Sequence, residues 1–235
     1  RRQATISTHS ILLRKYFNGE DVRLPAGYFD QRFFPDSSNL HPGLSVVDFD
    51  RDGYDDLYVS VRWGRNLLLH NQGDGTFREI AAEVGLDLPG RSTCAVFADF
   101  DNDGDADLLL GRSLEHSLFF TNEDGKFVEA TAVKAPDGLP FLVTSASAAD
   151  YNNDGLLDIY LCTYSPSNMS GRAAGTAQPV QDWVKKFLPA DAAHEVLRRT
   201  AVAHRWLSDV GPPNVLLVIR GDRFETAPQS ESLAA

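Results

Sequence analysis

A chain of 235 residues with 43% hydrophobic and 23% charged residues is long enough to bury a sizeable core, in one domain or two. It holds no apolar run near the roughly 20 residues that span a bilayer, and no charged start leading into an apolar stretch of the kind that marks an uncleaved signal peptide. A net charge of −11 disfavours nucleic acid and anionic membrane as partners. The chain starts at Arg1 and Arg2 rather than Met, which reads as a processed or partial product.

Residues 1–42 carry no acidic motif and form an N-terminal segment. Within it, SILLRKYFNGEDVRL (residues 10–24) sets Asn18-Gly19 between two partly apolar stretches, a hairpin signal that fits the outer half of another repeat unit. A short amphipathic helix over residues 11–17 fits equally well. Residues 25–42, with Tyr28, Phe29, Phe33 and Phe34, read as an irregular packed connection.

From Gly43 one pattern governs the chain. DFDRDGYDDLYV begins at Asp48, DFDNDGDADLLL at Asp99 and DYNNDGLLDIYL at Asp150, each 51 residues after the last. A fixed long period is the signature of a repeat architecture. In the first unit, two-residue alternation and turn residues predict strands over 44–47, 57–61, 66–70 and 76–80, the last pair joined by Gly73-Asp74-Gly75. The second unit repeats the order over 95–98, 107–110, 117–121 and 126–130. The third begins with 145–149 and 159–164, and its outer strands return only at 214–219 and 223–226. Four strands per unit predict an all-β fold of β-propeller blades over residues 43–235, with a stacked sandwich as the competitor.

Residues 165–213 interrupt the third unit. Their first part, SPSNMSGRAAGTAQP, is small and polar and reads as a loop. Val180, Trp183, Val184, Phe187 and Leu188 then share one helical face, and Pro189 ends that helix. Asp191 is the expected N-cap of a second helix bearing Val196, Leu197, Thr200, His204 and Leu207, ended by Gly211-Pro212-Pro213. A helical hairpin hung from one blade is where a generic scaffold carries its own specificity.

The repeated loop reads Asp-x-Asp/Asn-x-Asp-Gly-x-x-Asp. Its candidate carboxylate ligands are Asp48, Asp50, Asp52 and Asp56, then Asp99, Asp101, Asp103 and Asp107, then Asp150, Asp154 and Asp158. Side chains at positions 1, 3, 5 and 9 can converge with the carbonyl of position 7, because glycine at position 6 permits the sharp turn. All-oxygen ligands suit a hard cation, Ca²⁺ before Mg²⁺. Three such ions would bring the formal charge to about −5, so metal accounts for much of the acidity. A bare acidic turn competes poorly, since uncompensated charges a few Å apart cost on the order of a kcal/mol per pair. An EF-hand needs glutamate at position 12, where Val59, Leu110 and Leu161 stand inside apolar runs.

No catalytic constellation emerges. His194-Glu195-Val196-Leu197-Arg198 places Arg198 where a zinc helix needs its second histidine. His9, His41, His70 and His116 lack ligand-like spacing and read as strand, turn or surface residues. Asn168-Met169-Ser170 fits a glycosylation acceptor, a tripeptide frequent by chance. Arg198, Arg199 and Arg205 read as a solvated helix face. Cys94 and Cys162 fall at different phases of the repeat and read as small buried hydrophobes, with a disulfide between neighbouring repeats as the alternative.

The three loops, together with NLLLHNQGDGTF and NVLLVIRGDRF, resemble the FG-GAP or VCBS-type repeats of integrin α-subunit propellers and are similar to bacterial proteins of the ASPIC/UnbV kind. The resemblance implies a seven-bladed propeller with calcium in the loop between the first two strands of several blades. Carried over, it adds Asn152 and the carbonyls of Tyr54, Asp105 and Leu156 to the ligands, for about three Ca²⁺ sites. Three recognisable blades are too few to close a ring. The expectation is a non-enzymatic calcium-binding module outside the cytoplasm for protein or glycan partners. The alternative is a non-catalytic part or subunit of a larger extracytoplasmic enzyme or structural assembly.

Overall fold

The computed structural model describes residues 43–61, 64–112, 115–163, 185, 190–191, 193–194, 214–228 and 230. The readings for residues 1–42, and most of those for 165–213, lie outside these. Each repeat folds into one four-stranded antiparallel sheet, with neighbouring strands joined in sequence order. The first sheet comprises β1 (Gly43–Val47), β2 (Asp56–Ser60), β4 (Leu67–Asn71) and β5 (Phe77–Glu79). The second comprises β7 (Ser92–Ala98), β8 (Asp107–Arg112), β9 (Leu118–Glu123) and β10 (Lys126–Glu129). The third comprises β11 (Val143–Ala149), β12 (Asp158–Thr163), β13 (Val215–Arg220) and β14 (Arg223–Thr226). A two-residue ribbon of β3 (Gly64–Arg65) and β6 (Pro89–Gly90) ties the first sheet to the connection leaving it.

The predicted strands stand within a few residues of their places, and two differences have physical causes. The inner strands β7 and β11 start earlier than expected, at Ser92-Thr93 and Val143-Thr144. There the register slips between Ser92 and Cys94 and between Val143 and Ser145. The slip frees the Thr93 hydroxyl to donate to the Val143 carbonyl at 2.6 Å, tying one inner strand to the next. The outer strands are followed by single-turn helices, α1 (Ala81–Val84) and α2 (Thr131–Lys134), too short for periodicity to reveal. Each is started by a glutamate two residues upstream, Glu79 to Ala81 N–H and Glu129 to Thr131 N–H, both at 2.8 Å.

The sheets stack face to face, and the core lies between them. Tyr58, Leu68, Ile80 and Leu86 of the first unit pack against Leu108, Leu110, Phe120 and Phe127 of the second. On its other face the second sheet sends Leu109, Phe119 and Phe100 against Ile159, Leu161, Leu217 and Phe224 of the third, with Cys94 packed alongside. Because the middle sheet is covered on both faces, β8 is apolar at every position from Leu108 to Leu110 rather than alternating. Of the insertion, Lys185, Ala190, Asp191, Ala193 and His194 are helical. Ala190 already being helical, Asp191 lies inside the helix rather than at the expected N-cap. Its carboxylate instead stands 2.9 Å from His116 Nε2 on the second unit. Among the described residues no helix is long and apolar enough to cross a membrane, which says nothing of membrane β-barrels.

Candidate metal centre

The three acidic loops join the first and second strands of each sheet and share one conformation. The first aspartate accepts two backbone N–H groups: Asp48 from Asp52 and Gly53, Asp99 from Asp103 and Gly104, and Asp150 from Asp154 and Gly155. These bonds measure 3.1 and 3.0 Å in every loop. The fifth position accepts from the seventh, Asp52 from Tyr54 N–H, Asp103 from Asp105 N–H and Asp154 from Leu156 N–H. The turn takes the left-handed region twice. At position 4, Arg51, Asn102 and Asn153 have φ of 58°, 59° and 60°, and at position 6 the glycines reach 88°, 99° and 87°. A side chain at position 6 would be strained, which is why glycine recurs there.

Position 9 begins the second strand and is buried in all three loops, with Asp56, Asp107 and Asp158 at most 1% exposed. One oxygen of each accepts a backbone N–H from the third strand: Asn71 at 2.7 Å, Asn122 at 2.9 Å and Ile219 at 3.1 Å. Those bonds put Asn71, Asn122 and Ile219 at equivalent positions. The other oxygen of Asp56 and of Asp158 accepts from Phe49 and Tyr151 N–H. Oδ2 of Asp107 is buried with no hydrogen-bond partner. Burial, with added pressure from Asp101 and Asp103, raises this carboxyl from its ordinary 3.8 to about 7, against the lowering effect of the Asn122 N–H. Burial likewise pushes Asp56 up, and burial followed by the charge of Asp103 pushes Asp105 up.

Donor atoms of Asp48, Asp50 and Asp52 lie within 4.8 Å of one another, as do those of Asp99, Asp101 and Asp103. At the third loop Asn152 replaces a carboxylate, and its side-chain oxygen accepts from Asp154 N–H at 2.9 Å. The carbonyls of Tyr54, Asp105 and Leu156 sit at the expected seventh position of the turn. Two cationic side chains approach the second loop: Lys134 Nζ stands 3.2 Å from Asp101, and an Arg51 nitrogen from the first loop 3.7 Å from Asp105. Adjacent loops also touch, through Arg51 Nη1 donating to Gly104 O at 3.3 Å and Asn102 Nδ2 donating to Gly155 O at 3.0 Å.

Sequence spacing left one neighbour out. His70 is the strand residue it was expected to be, yet its Nε2 reaches Asp50 Oδ2 at 3.1 Å and Asp52 Oδ2 at 3.3 Å. Asp50, Asp56 and His70 also form a group within 4.8 Å. The fold brings it there: His70 immediately precedes Asn71, whose N–H holds Asp56, so its side chain falls beside the loop.

Residues 48–110, which hold the first loop and its sheet and run to the second strand of the next, match the FG-GAP-like repeat family. Over 169 residues, 68% of this chain and 26% of the relative, the sequence is 28% identical to cartilage acidic protein 1 of Xenopus tropicalis. It is 32% identical over 121 residues to the Homo sapiens protein of that name, covering 50% of this chain and 18% of the relative. The chain thus spans about a quarter or less of the length of the curated relatives it matches.

Proposed function

We propose that the chain is a calcium-stabilised stack of β-propeller blades that serves as a non-enzymatic protein- or glycan-interaction module outside the cytoplasm. Its three loops are the cation sites. The observation that carries this is Asp107 Oδ2, a carboxylate oxygen buried without a partner beside Asp101 and Asp103. A buried unpaired acceptor costs about 1–3 kcal/mol or more when charged, and a divalent cation removes that cost. Oxygen donors from Asp99, Asp101, Asp103 and Asp107 with the Asp105 carbonyl fit a hard cation, and Asp48 to Asp56 and Asp150 to Asp158 repeat the set. The extracytoplasmic setting is supported by relatives named for cartilage, and their name's second word matches the chain's own acidity. The interaction surface is assigned to the insertion at residues 165–213, which leaves the scaffold between β12 and β13.

Calorimetric melting with and without chelator tests the cation sites. At a free calcium concentration of about 100 times Kd each site adds about 2.7 kcal/mol, roughly 5–10 °C for a domain of this size. An unchanged melt in chelator overturns the reading.

A second reading, membership of a larger assembly, is favoured by the exposed outer face of the first sheet, where Leu44 and Val46 are 64% and 58% accessible. Native protein that sediments only as a lone monomer of this chain refutes it.

A further inference from the structure

We propose that the open face of the first sheet is the seat of a preceding repeat unit, and that residues 10–24 of this chain supply that unit's third and fourth strands. The proposal rests on the reading of the repeats as stacked blades and holds whether or not the loops bind an ion. It gives the exposed face that favours a larger assembly an occupant within the chain.

The face itself is the first observation. Leu44, Val46, Leu67 and Phe77 are between 37% and 64% exposed. Antiparallel pairing puts them on one side of the sheet: Leu44 and Leu67 both oppose Val59, Val46 and Leu69 both oppose Leu57, and Phe77 opposes Asn71. Their counterparts in the second unit, Ala95, Phe97, Leu118 and Phe127, all pack against the first sheet. The positions by which a blade sits on its predecessor are thus apolar in the first unit too, yet stand uncovered. An apolar patch of this extent marks an interaction surface.

The second observation concerns the occupant. The third strand of each unit follows a small polar residue, Asn66, Ser117 or Asn214, that accepts an N–H from the end of the second strand. Ser10 opens SILLRKYFNGEDVRL in the same way, and like Ser117 it follows a histidine and precedes three apolar residues. With Ser10 matched to Asn66, Leu12 takes the place of Leu68, Gly19 that of Gly75 and Leu24 that of Ile80. Leu68 and Ile80 are buried where the first unit meets the second. The segment therefore carries leucine at both positions that must face the next blade. Residues 1–42 lie outside the described ones, and this register is read from their sequence.

The third is the connection. Each outer strand leads to the next inner strand, through residues 80–91 and 130–142. Residues 25–42 have length to spare for the same step into β1. A second copy fits the face less well. An isologous contact would set two such faces together, whereas their counterparts on the second sheet meet the opposite face of the sheet before.

Photo-cross-linking of the full chain tests this, with benzoylphenylalanine replacing Leu67 in one protein and Phe77 in another, and products mapped by mass spectrometry. The expected product joins either probe to residues 10–42 of the same chain. A probe replacing Leu118 should capture residues 66–88 of the first unit. Leu12→Lys combined with Leu24→Lys is expected to lower the Leu67 product about tenfold or more, because an ammonium group resists burial against an apolar face. Products that join Leu67 and Phe77 to another copy, to another protein or to nothing overturn the proposal, and so does a yield indifferent to the two lysines. If only these probes miss, the proposal falls alone; if the Leu118 probe also misses the first unit, the stacked-blade reading falls with it.

Discussion

At Asp107 a buried carboxyl faces Asp101 and Asp103 with one oxygen unpaired, and the metal-free chain holds its proton up to about pH 7. The unfolded chain releases that proton near 3.8, so the native state binds it more tightly. This group's contribution is therefore fully present below its unfolded value and is lost as pH rises through 7. In chelator the melting temperature is expected to be lower at about pH 8 than at about pH 5.5. Asp107→Asn should flatten that slope, because the amide has no proton to lose. If the loop takes up Ca²⁺ as proposed, the preference is expected to reverse with the ion present, since the ion needs the carboxylate. Calorimetry at the two pH values in chelator checks this, and a flat wild-type profile contradicts it. The carboxylates were readable from spacing alone, since a nine-residue loop dictates its own geometry. His70 was not, because it arrives from a strand whose pairing partner lies outside the loop.

At the scale of the strand, one residue explains why each blade's third strand starts where it does. Asn66 Oδ1 accepts from Val61 N–H at 2.8 Å, while its Nδ2 donates to the Tyr58 hydroxyl at 2.8 Å and to Ser92 Oγ at 2.9 Å. Ser117 accepts from Arg112 N–H in the second blade, and Asn214 accepts from Thr163 N–H in the third. The last bond spans 51 residues where the first spans 5, so the insertion is closed at its base by the same contact that closes a short turn. Asn66→Ala strands the Val61 N–H and should cost about 2 kcal/mol. Asn66→Ser, which imitates Ser117, should cost less. Urea unfolding of the two variants checks the order, and equal losses contradict it. The motif NLLL is visible in sequence. Its purpose is not, because Asn66 joins the end of the second strand, through Tyr58 and Val61, to Ser92 of the next unit. The short helices α1 and α2 escaped for a different reason: a four-residue turn shows no period, and only the preceding glutamates announce it.

Across the whole molecule the 51-residue period dictated three sheets, and the order in which they stack follows from residues the period repeats. Phe49 and Phe100, second in their loops, are buried under the next blade, whereas Tyr151 at the same place in the third loop is 56% exposed. At the opposite end Leu44 and Val46 face outward, while their counterparts Ala95 and Phe97 pack against the first blade. The described stack is thus open on both sides, a property no single repeat betrays. The contacts between loops have a further meaning. Arg51 holds the Gly104 carbonyl and Asn102 holds the Gly155 carbonyl, so the residue that closes one loop also grips the turn of the next. An ion that tightens one loop draws that grip into place and lowers the ordering entropy its neighbour must lose. Under the proposed function, ion uptake is then expected to be cooperative along the stack, each filled loop favouring its neighbour. A calcium isotherm with a Hill slope above about 1, relaxing toward 1 in Asn102→Ala, is the expected signature. Equal slopes in both proteins would mean that the loops fill as strangers.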